Sequence, residues 1–417
     1  MAASVERLRE KCPGEVPPRI GARDLSQSAG IHRWLYLHRP GKDGPPRLCP
    51  TVTFADTLVA MICEWRWVAI GLVLSLSGLA CSRTPMDTPG TGGGASTGGT
   101  TDTIAAGATT ASGGRSGTGG ANGKGGTWGG TAPSCRGLAA TCGPSRTDDC
   151  CKSLLVPGGT FYRSYDGVDF TDKSYPATVS DFYLDKYEIT VGRFRVFVTA
   201  GMGTQARPPT AGAGANPAIA GSGWDSTWNT NLAATRAALT SNLKCQAPYY
   251  TWTDTAGSNE DKPVNCLDWY TAFSFCAWDG GRLPTDAEWN YAASGGSEQR
   301  YYPWSNPSTS AAIDASYAVY FGDSCLPLAV GLKSPKGDGK WGQSDLAGNV
   351  WKWTLDWDAS YTNPCNNCAD LTAGSYRVIR GGNFCGLAAG LRSAYRSDGF
   401  PGYPSVYVGA RCARSSL

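Results

Sequence analysis

PVNCLDWYTAFSFCAWDGGRLPTDAEWNYAASGG, residues Pro263–Gly296, is the stretch whose reading decides the fold. Trp269, Ala272, Phe273 and Cys276 fall at i, i+3, i+4 and i+7, the spacing that places them on one face of a helix. Gly280 and Gly281 end that helix, because glycine tolerates the left-handed backbone of a C-terminal cap. A second helix starts at once: Thr285 stands three residues before Glu288, a capping box in which each side chain satisfies a backbone donor of the first turn. Trp289, Ala292 and Ala293 turn inward, and Gly295 and Gly296 close the segment. Composition alone takes this no further than two well-specified core helices.

Working outward, histidine is the sharpest exclusion. Both histidines, His32 and His38, precede Met61. The rest of the chain therefore has no Ser-His-Asp or Cys-His catalysis and no histidine-ligated zinc or iron. Met1–Ala60 also carries nine Lys/Arg against six Asp/Glu, the whole of the formal charge of +3. The remainder is neutral, so no nucleic-acid surface is implied. Of 16 cysteines, 12 follow Cys81, an even number that reads as a disulfide framework in an oxidising compartment. Cys365-Asn-Asn-Cys368 has the gap of half a zinc site, but no second such pair or histidine completes it, and a disulfide is the preferred reading.

Along the 417 residues, Met1–Ala60 shows no domain pattern and is read as untranslated or unstructured. Residues 61–81 form a signal-peptide pattern: Trp67–Ala80 is free of charge and too short to span a bilayer, although Glu64 offsets Arg66. Ser77-Gly78-Leu79-Ala80-Cys81 resembles a bacterial lipobox, which makes Cys81 the expected lipid anchor and the protein an exported, membrane-anchored lipoprotein, periplasmic or at the cell surface. Residues 82–134, rich in Gly, Thr, Ser and Ala, bury too little to offset ordering entropy and are expected to be a disordered linker. The domain is expected over 135–417, with Cys135, Cys142, Cys150 and Cys151 stapling its start. LLVPGGTFYRS reads as strand, turn and strand, FYLDKYEIT follows, and Val191, Phe194, Phe197 and Val198 line a helix that Gly201 ends. Met202–Pro263 is either a disordered excursion or a functional surface loop. Asp279–Leu417 reads, after its helix, as irregular chain with turns and short strands, so the fold class is α+β with high loop content.

The segment Trp278–Gly296 resembles the signature of the formylglycine-generating enzyme family, the sulfatase-modifying factors. YPWS (Tyr302–Ser305), DLAGNVWKWTLDW (Asp345–Trp357), RVIRGGNFCGLAAGLRSAYRS (Arg377–Ser397) and GARCAR (Gly409–Arg414) follow in family order, over about two thirds of the chain. The resemblance implies a fold related to the C-type lectin domain and a Cys276–Cys412 disulfide. It also implies oxidation of a sulfatase cysteine to formylglycine with molecular oxygen, by two cysteines that bind copper(I), and a structural calcium ion.

Two positions depart from that pattern. Cys385 follows the Gly381-Gly382-Asn383 turn, but Ala388, Ala389 and Gly390 fill the interval where the second cysteine should stand. Cys385 therefore either holds the first cysteine's place or is half of a structural disulfide, the reading that cysteine parity favours. The calcium positions fall on Asp345, Gly348, Val350 and Lys352, and a lysine stands where the family has a glutamate. Calcium needs six to eight oxygens and an ammonium repels it. Lys352 either replaces the ion as a counter-charge for Asp345, which is preferred, or turns outward. Calcium is left as an open cofactor, and copper follows only from an oxidase reading. Asp286 and Glu288 are assigned to helix capping, and Trp304, Trp341, Trp351, Trp353 and Trp357 to the core. The expected protein is a monomer that binds a protein, peptide or glycan ligand and meets the membrane through its anchor, with the formylglycine-generating oxidase as the alternative.

Overall fold

The computed structural model describes residues 127–128 and 132–415. The segments expected as untranslated or unstructured (1–60), as signal peptide (61–81, with Cys81) and as most of the linker lie outside the described residues. The last part of the expected linker belongs to the folded domain. Thr127–Trp128 is a strand, β1, and Ser134 is fully buried in a 3-10 turn, Pro133–Cys135.

Strands β2 (Ser153–Val156) and β3 (Gly159–Tyr162) flank the Pro-Gly turn as the sequence predicts, but they enter different sheets. β4 (Pro176–Val179) pairs antiparallel with β3, and β5 (Phe182–Asp185) pairs antiparallel with β2. Helix α1, Val191–Thr199, is capped by the Thr190 hydroxyl, which accepts from Arg193 N–H, and buries Val191, Phe194, Phe197 and Val198. The 202–263 excursion is ordered. It holds a 3-10 turn, Ser226–Asn231, and helix α2, Arg236–Asn242, and it sends Trp224, Leu232, Leu239, Leu243 and Trp252 into the main core.

Helix α3 spans Trp269–Trp278 with Asp268 as its cap, and α4 spans Asp286–Ala293 with the Thr285–Glu288 capping box fully formed. Between them, Gly280 has φ 75°. A side-chain carbon on Gly281 would lie 2.7 Å from the Ala413 carbonyl, so the last strand can reach the helix pair only over glycine. All eight residues of α4 are buried. The Asp286 carboxylate does not cap its own helix, contrary to expectation: it accepts from Arg380 Nε (2.5 Å) and Arg396 Nε (3.1 Å). That first turn, capped by Thr285, gains a further acceptor from across the fold, where Asp356 Oδ2 accepts from Asp286 N–H at 2.7 Å.

The second half supplies β6 (Trp351–Trp357), β7 (Cys365–Asn366), β8 (Arg377–Arg380), β9 (Arg396–Gly399), β10 (Val408–Gly409) and β11 (Ala413–Ser415). The three sheets have the orders β1-β2-β5-β11, β10-β6-β8-β9 and β3-β4-β7, so strands from both ends of the domain complete one another. The tryptophans are structural: Trp304, Trp351 and Trp353 are buried, and Arg377 lies 3.7 Å from the Trp269 ring centre and 3.6 Å from that of Trp357.

The 12 described cysteines form six disulfides. Cys135–Cys151 and Cys142–Cys150 staple the entrance, Cys245–Cys266 holds the excursion, and Cys276–Cys412 ties α3 to the approach to β11. Cys276 and Cys412 are both fully buried and lie 136 residues apart. Replacing both with alanine is expected to cost about 4–5 kcal/mol from the lost chain restraint, read as a lower urea midpoint with an unchanged fold.

Burial, and then the neighbouring Asp286 carboxylate, push Asp356 up to about 7. An unfolded aspartate titrates near 4, so between about pH 4 and 7 the folded chain keeps a proton that the unfolded chain has released. This residue's contribution therefore falls as pH rises through that window. Asp356→Asn is expected to lower stability at pH 5, where it loses one of two backbone contacts, and to flatten the decline between pH 5 and 8 in urea titrations.

Candidate functional site

The segments Asp345–Val350 and Gly381–Cys385 pack against each other at one end of β6 and β8. Gly381 is required there: its φ is 93°, and a side-chain carbon would lie 2.3 Å from the Leu346 carbonyl. Gly348 N–H donates to the Gly381 carbonyl (2.7 Å) and Phe384 N–H to that of Asn349 (2.6 Å). Phe384 is buried between Tyr249 and Tyr407, with ring centres 6.0 and 5.3 Å away. Cys385 leaves this anchor half-buried, its N–H donating to Asn383 Oδ1 at 2.8 Å.

Cys385 is joined to Cys325 in a disulfide. The partner comes from the loop after Val319, a residue that the sequence did not single out. Phe321 N–H donates to the Gly386 carbonyl (3.0 Å) and Leu328 N–H to Asn349 Oδ1 (3.1 Å), so the two loops are tied on either side of the bond. Cysteine parity calls for some partner to Cys385, but only the fold identifies Cys325. Bonded in this way, Cys385 offers no thiolate, and all the described cysteines are likewise paired. The arrangement does not fit bis-thiolate copper(I) binding, which needs both sulfurs reduced and free. Phe321, Leu326 and Leu387 are 62%, 44% and 69% exposed beside the bond, an apolar rim in a domain that buries most such side chains.

Lys352 points inward and is fully buried. Its ammonium lies 2.8 Å from Glu188 Oε1 and donates to the Gly348 carbonyl at 2.7 Å. The expected counter-charge, Asp345, is not its direct partner: Asp345 Oδ2 accepts from Gly331 N–H (2.5 Å) and reaches the lysine only through its longer-range field. Glu188 takes that role. Its other oxygen accepts from Asn349 Nδ2 (2.8 Å), and Oε1 also accepts from Val350 N–H (3.3 Å). Nothing in the stretch around Glu188 marks it as a site residue, since its partners lie more than 160 positions away. Arg411 adds a second buried cation, donating to the Ser344 and Asp345 carbonyls at 2.7 and 2.8 Å.

The residues at Asp345, Gly348, Val350 and Lys352 therefore do not fit calcium. One expected oxygen, the Gly348 carbonyl, is already bound to an ammonium, which repels a divalent ion. Burial and the Glu188 charge push Asp345 up to about 7, and burial pulls Lys352 down to about 8 against the attraction of Glu188. Among the described residues no group of three or more His, Cys, Asp or Glu side chains is placed to hold a metal, and no helix is long and apolar enough to cross a membrane.

A family model, the sulfatase-modifying factor enzyme 1-like domain, matches residues 139–416. Hercynine oxygenase of Mycolicibacterium smegmatis is 28% identical over 281 residues, 63% of this chain and 60% of that protein. Formylglycine-generating enzyme of Mus musculus is 26% identical over 307 residues, 64% of this chain and 76% of that one. Among solved structures, PvdO from Pseudomonas aeruginosa aligns with a TM-score of 0.45 at 20% identity, covering 64% of this chain and 95% of that one. The chain thus spans less than two thirds of the hercynine oxygenase it matches.

Two outcomes are expected of the lysine. The melting temperature is the same with calcium and with a chelator. Lys352→Met, which strands Glu188 as a buried charge, costs about 3–5 kcal/mol in urea unfolding.

Proposed function

The chain belongs to the sulfatase-modifying factor family, and from that premise we propose that it is a divergent, exported member that binds a ligand or partner instead of oxidising a cysteine. The observation that carries this reading is the Cys325–Cys385 disulfide, which occupies the one family thiol that the sequence retains. The replacement of the second thiol by Ala388, Ala389 and Gly390, and of the calcium glutamate by Lys352, points the same way. The exposed Phe321, Leu326 and Leu387 supply an apolar contact surface around the bond, of the kind a protein or peptide ligand can cover. Six disulfides in the described domain are compatible with an extracytoplasmic setting. The lipobox-like run ending at Cys81 supports anchoring to a membrane by a lipid, and neither charge nor composition suggests a nucleic-acid partner. The domain is taken to act as a monomer.

One observation favours a second reading. The fold places a second sulfur, Cys325, directly against Cys385, so reduction would leave two thiols side by side. Relatives named as a formylglycine-generating enzyme and a hercynine oxygenase keep oxygen chemistry within the family's range. In that case the protein would be a formylglycine-generating oxidase whose second thiol comes from a different loop.

Incubation of the purified protein with copper(I), oxygen and a cysteine-containing sulfatase-motif peptide separates the two. The binding reading expects an unchanged peptide mass, and a loss matching aldehyde formation would establish the oxidase. Binding on peptide or glycan arrays is expected to fall at least about tenfold in Phe321→Ser/Leu387→Ser, the loss typical of removing two central apolar anchors. Globomycin is expected to block processing at Cys81, and unaltered size on treatment contradicts the lipid anchor.

A further inference from the structure

Of the six disulfides, Cys365–Cys368 is placed unlike the others. Cys365 sits in β7, opposite Ala177 of β4, and is buried with Val156, Phe161 and Phe182. Cys368, past the Asn366-Asn367 turn, is half-buried and lines a cleft with Arg163, Asp356, Tyr361, Asp370 and Arg396. Cys368 is thus partly exposed where Cys365 is buried, the asymmetry that an exchange pair needs.

The partly exposed sulfur also has a cation. Arg163 Nη1 donates to Cys368 Sγ at 3.6 Å, and Nη2 is fixed by the Thr362 carbonyl (2.7 Å) and Asn363 Oδ1 (2.9 Å). The guanidinium lies 4.4 Å above the Tyr361 ring, and its Nε is buried without a hydrogen-bond partner. None of these contacts is to a carboxylate; Asp286 and Asp356 reach the guanidinium only through their longer-range fields, and Nη1 faces the sulfur. The other titratable and charged groups facing the cleft are Arg396, Asp370 and Asp356, whose carboxyl is pushed up to about 7, and Asp286 acts on Arg163 from behind them.

As a staple the bond does little. It closes three residues, against 136 for Cys276–Cys412, and so removes little freedom from the unfolded chain. The turn is held without it: Asn367 N–H donates to the Thr178 carbonyl (2.9 Å), and Asn367 Oδ1 accepts from Ser180 N–H (2.7 Å). The cleft at Cys368 holds only about 10 Å³, but a groove of about 550 Å³, lined by Ile219, Ala220, Leu371 and Thr372, adjoins it through Thr362 and Asp370.

We propose that Cys365–Cys368 is a thiol–disulfide exchange site that oxidises a peptide dithiol, with Cys368 as the attacked sulfur and Arg163 as the group that stabilises its thiolate. A peptide thiolate attacks Cys368 Sγ, a mixed disulfide forms, and Cys365 leaves as a thiolate that takes up the proton released by the peptide. The second peptide thiolate then attacks the peptide sulfur of the mixed bond and expels Cys368 as a thiolate beside Arg163. The peptide loses two electrons and becomes a disulfide, and the protein gains them as two thiols. A small-molecule disulfide restores the starting state. This site is independent of whatever Cys385 does.

The test treats the oxidised full chain with a limiting peptide carrying two cysteines, quenches with acid, and maps alkylated cysteines by mass spectrometry. One peptide disulfide per chain is expected, with label on Cys365 and Cys368 before any other pair. In Arg163→Met, exchange at Cys368 slows by about tenfold or more while Cys325–Cys385 keeps its rate, and the pH midpoint for alkylating reduced Cys368 moves up by about one unit. Arg163→Lys, which keeps the charge, is expected to retain most of the rate. The proposal is overturned if the peptide stays reduced, if Cys365–Cys368 resists reduction as long as Cys276–Cys412 does in the unmodified chain, or if Arg163→Met exchanges at the native rate.

Discussion

Two buried carboxylates held between two buried arginines set the frame on which everything else is hung. Asp185 at the end of β5 and Asp279 at the end of α3 are fully buried, and both are paired with Arg193 of α1 and Arg414 of β11. Ser153 Oγ donates to Asp185 (2.6 Å) and Ser134 N–H to Asp279 (3.0 Å), which brings the first turn of the domain into the same cluster. Burying four charges is costly, and the cost is met only when every partner is in place. The cluster therefore specifies one arrangement of the domain's start, its helix pair and its last strand, and losing any member strands a charge in the core. A protein with so much irregular chain has few long sheets to impose that order, and the ionic cluster and the disulfides do it instead.

The same solution recurs where the family pattern implies bound ions. Between β5 and β6, Lys352 brings a positive charge on a side chain into the place where a calcium ion is implied, and Glu188 neutralises it. At the head of β8, Cys385 has its valence filled by Cys325. Each replacement converts a site that would need a ligand from solution into one completed within the chain. The helices, glycine turns and arginine contacts of the scaffold do not depend on an ion at either place. Among the described residues apolar surface remains uncovered at the rim of Phe321, Leu326 and Leu387, and again at Val168, Tyr376, Phe400 and Tyr403.

The helices and their ends were legible because their determinants are local. The i, i+3, i+4 spacing from Trp269, the Thr285–Glu288 box and the glycines at 280 and 281 are all read within a few residues. The α+β class and the loop-rich second half followed from the same local reading and from the resemblance. What was not legible depends on distant pairing. The division of β2 and β3 between two sheets, the burial of the 202–263 excursion, and the pairing of Asp356 with the first turn of α4 are decided by contacts across the fold. Within the site, Lys352 was identified by its position in a motif, whereas Glu188 and Cys325 carry no local mark. A charge substitution is visible in sequence, but the group that compensates for it is visible only in space.

The central claim is that the Cys385 sulfur is held in a bond within the chain and so offers no thiolate to a metal. Diffraction at the copper absorption edge, from crystals equilibrated with copper(I) under anaerobic conditions, tests it most directly. The expected result is continuous density between Cys325 and Cys385 with no anomalous peak at either sulfur. A strong anomalous peak bridging the two sulfurs would contradict the account and make the pair a copper centre.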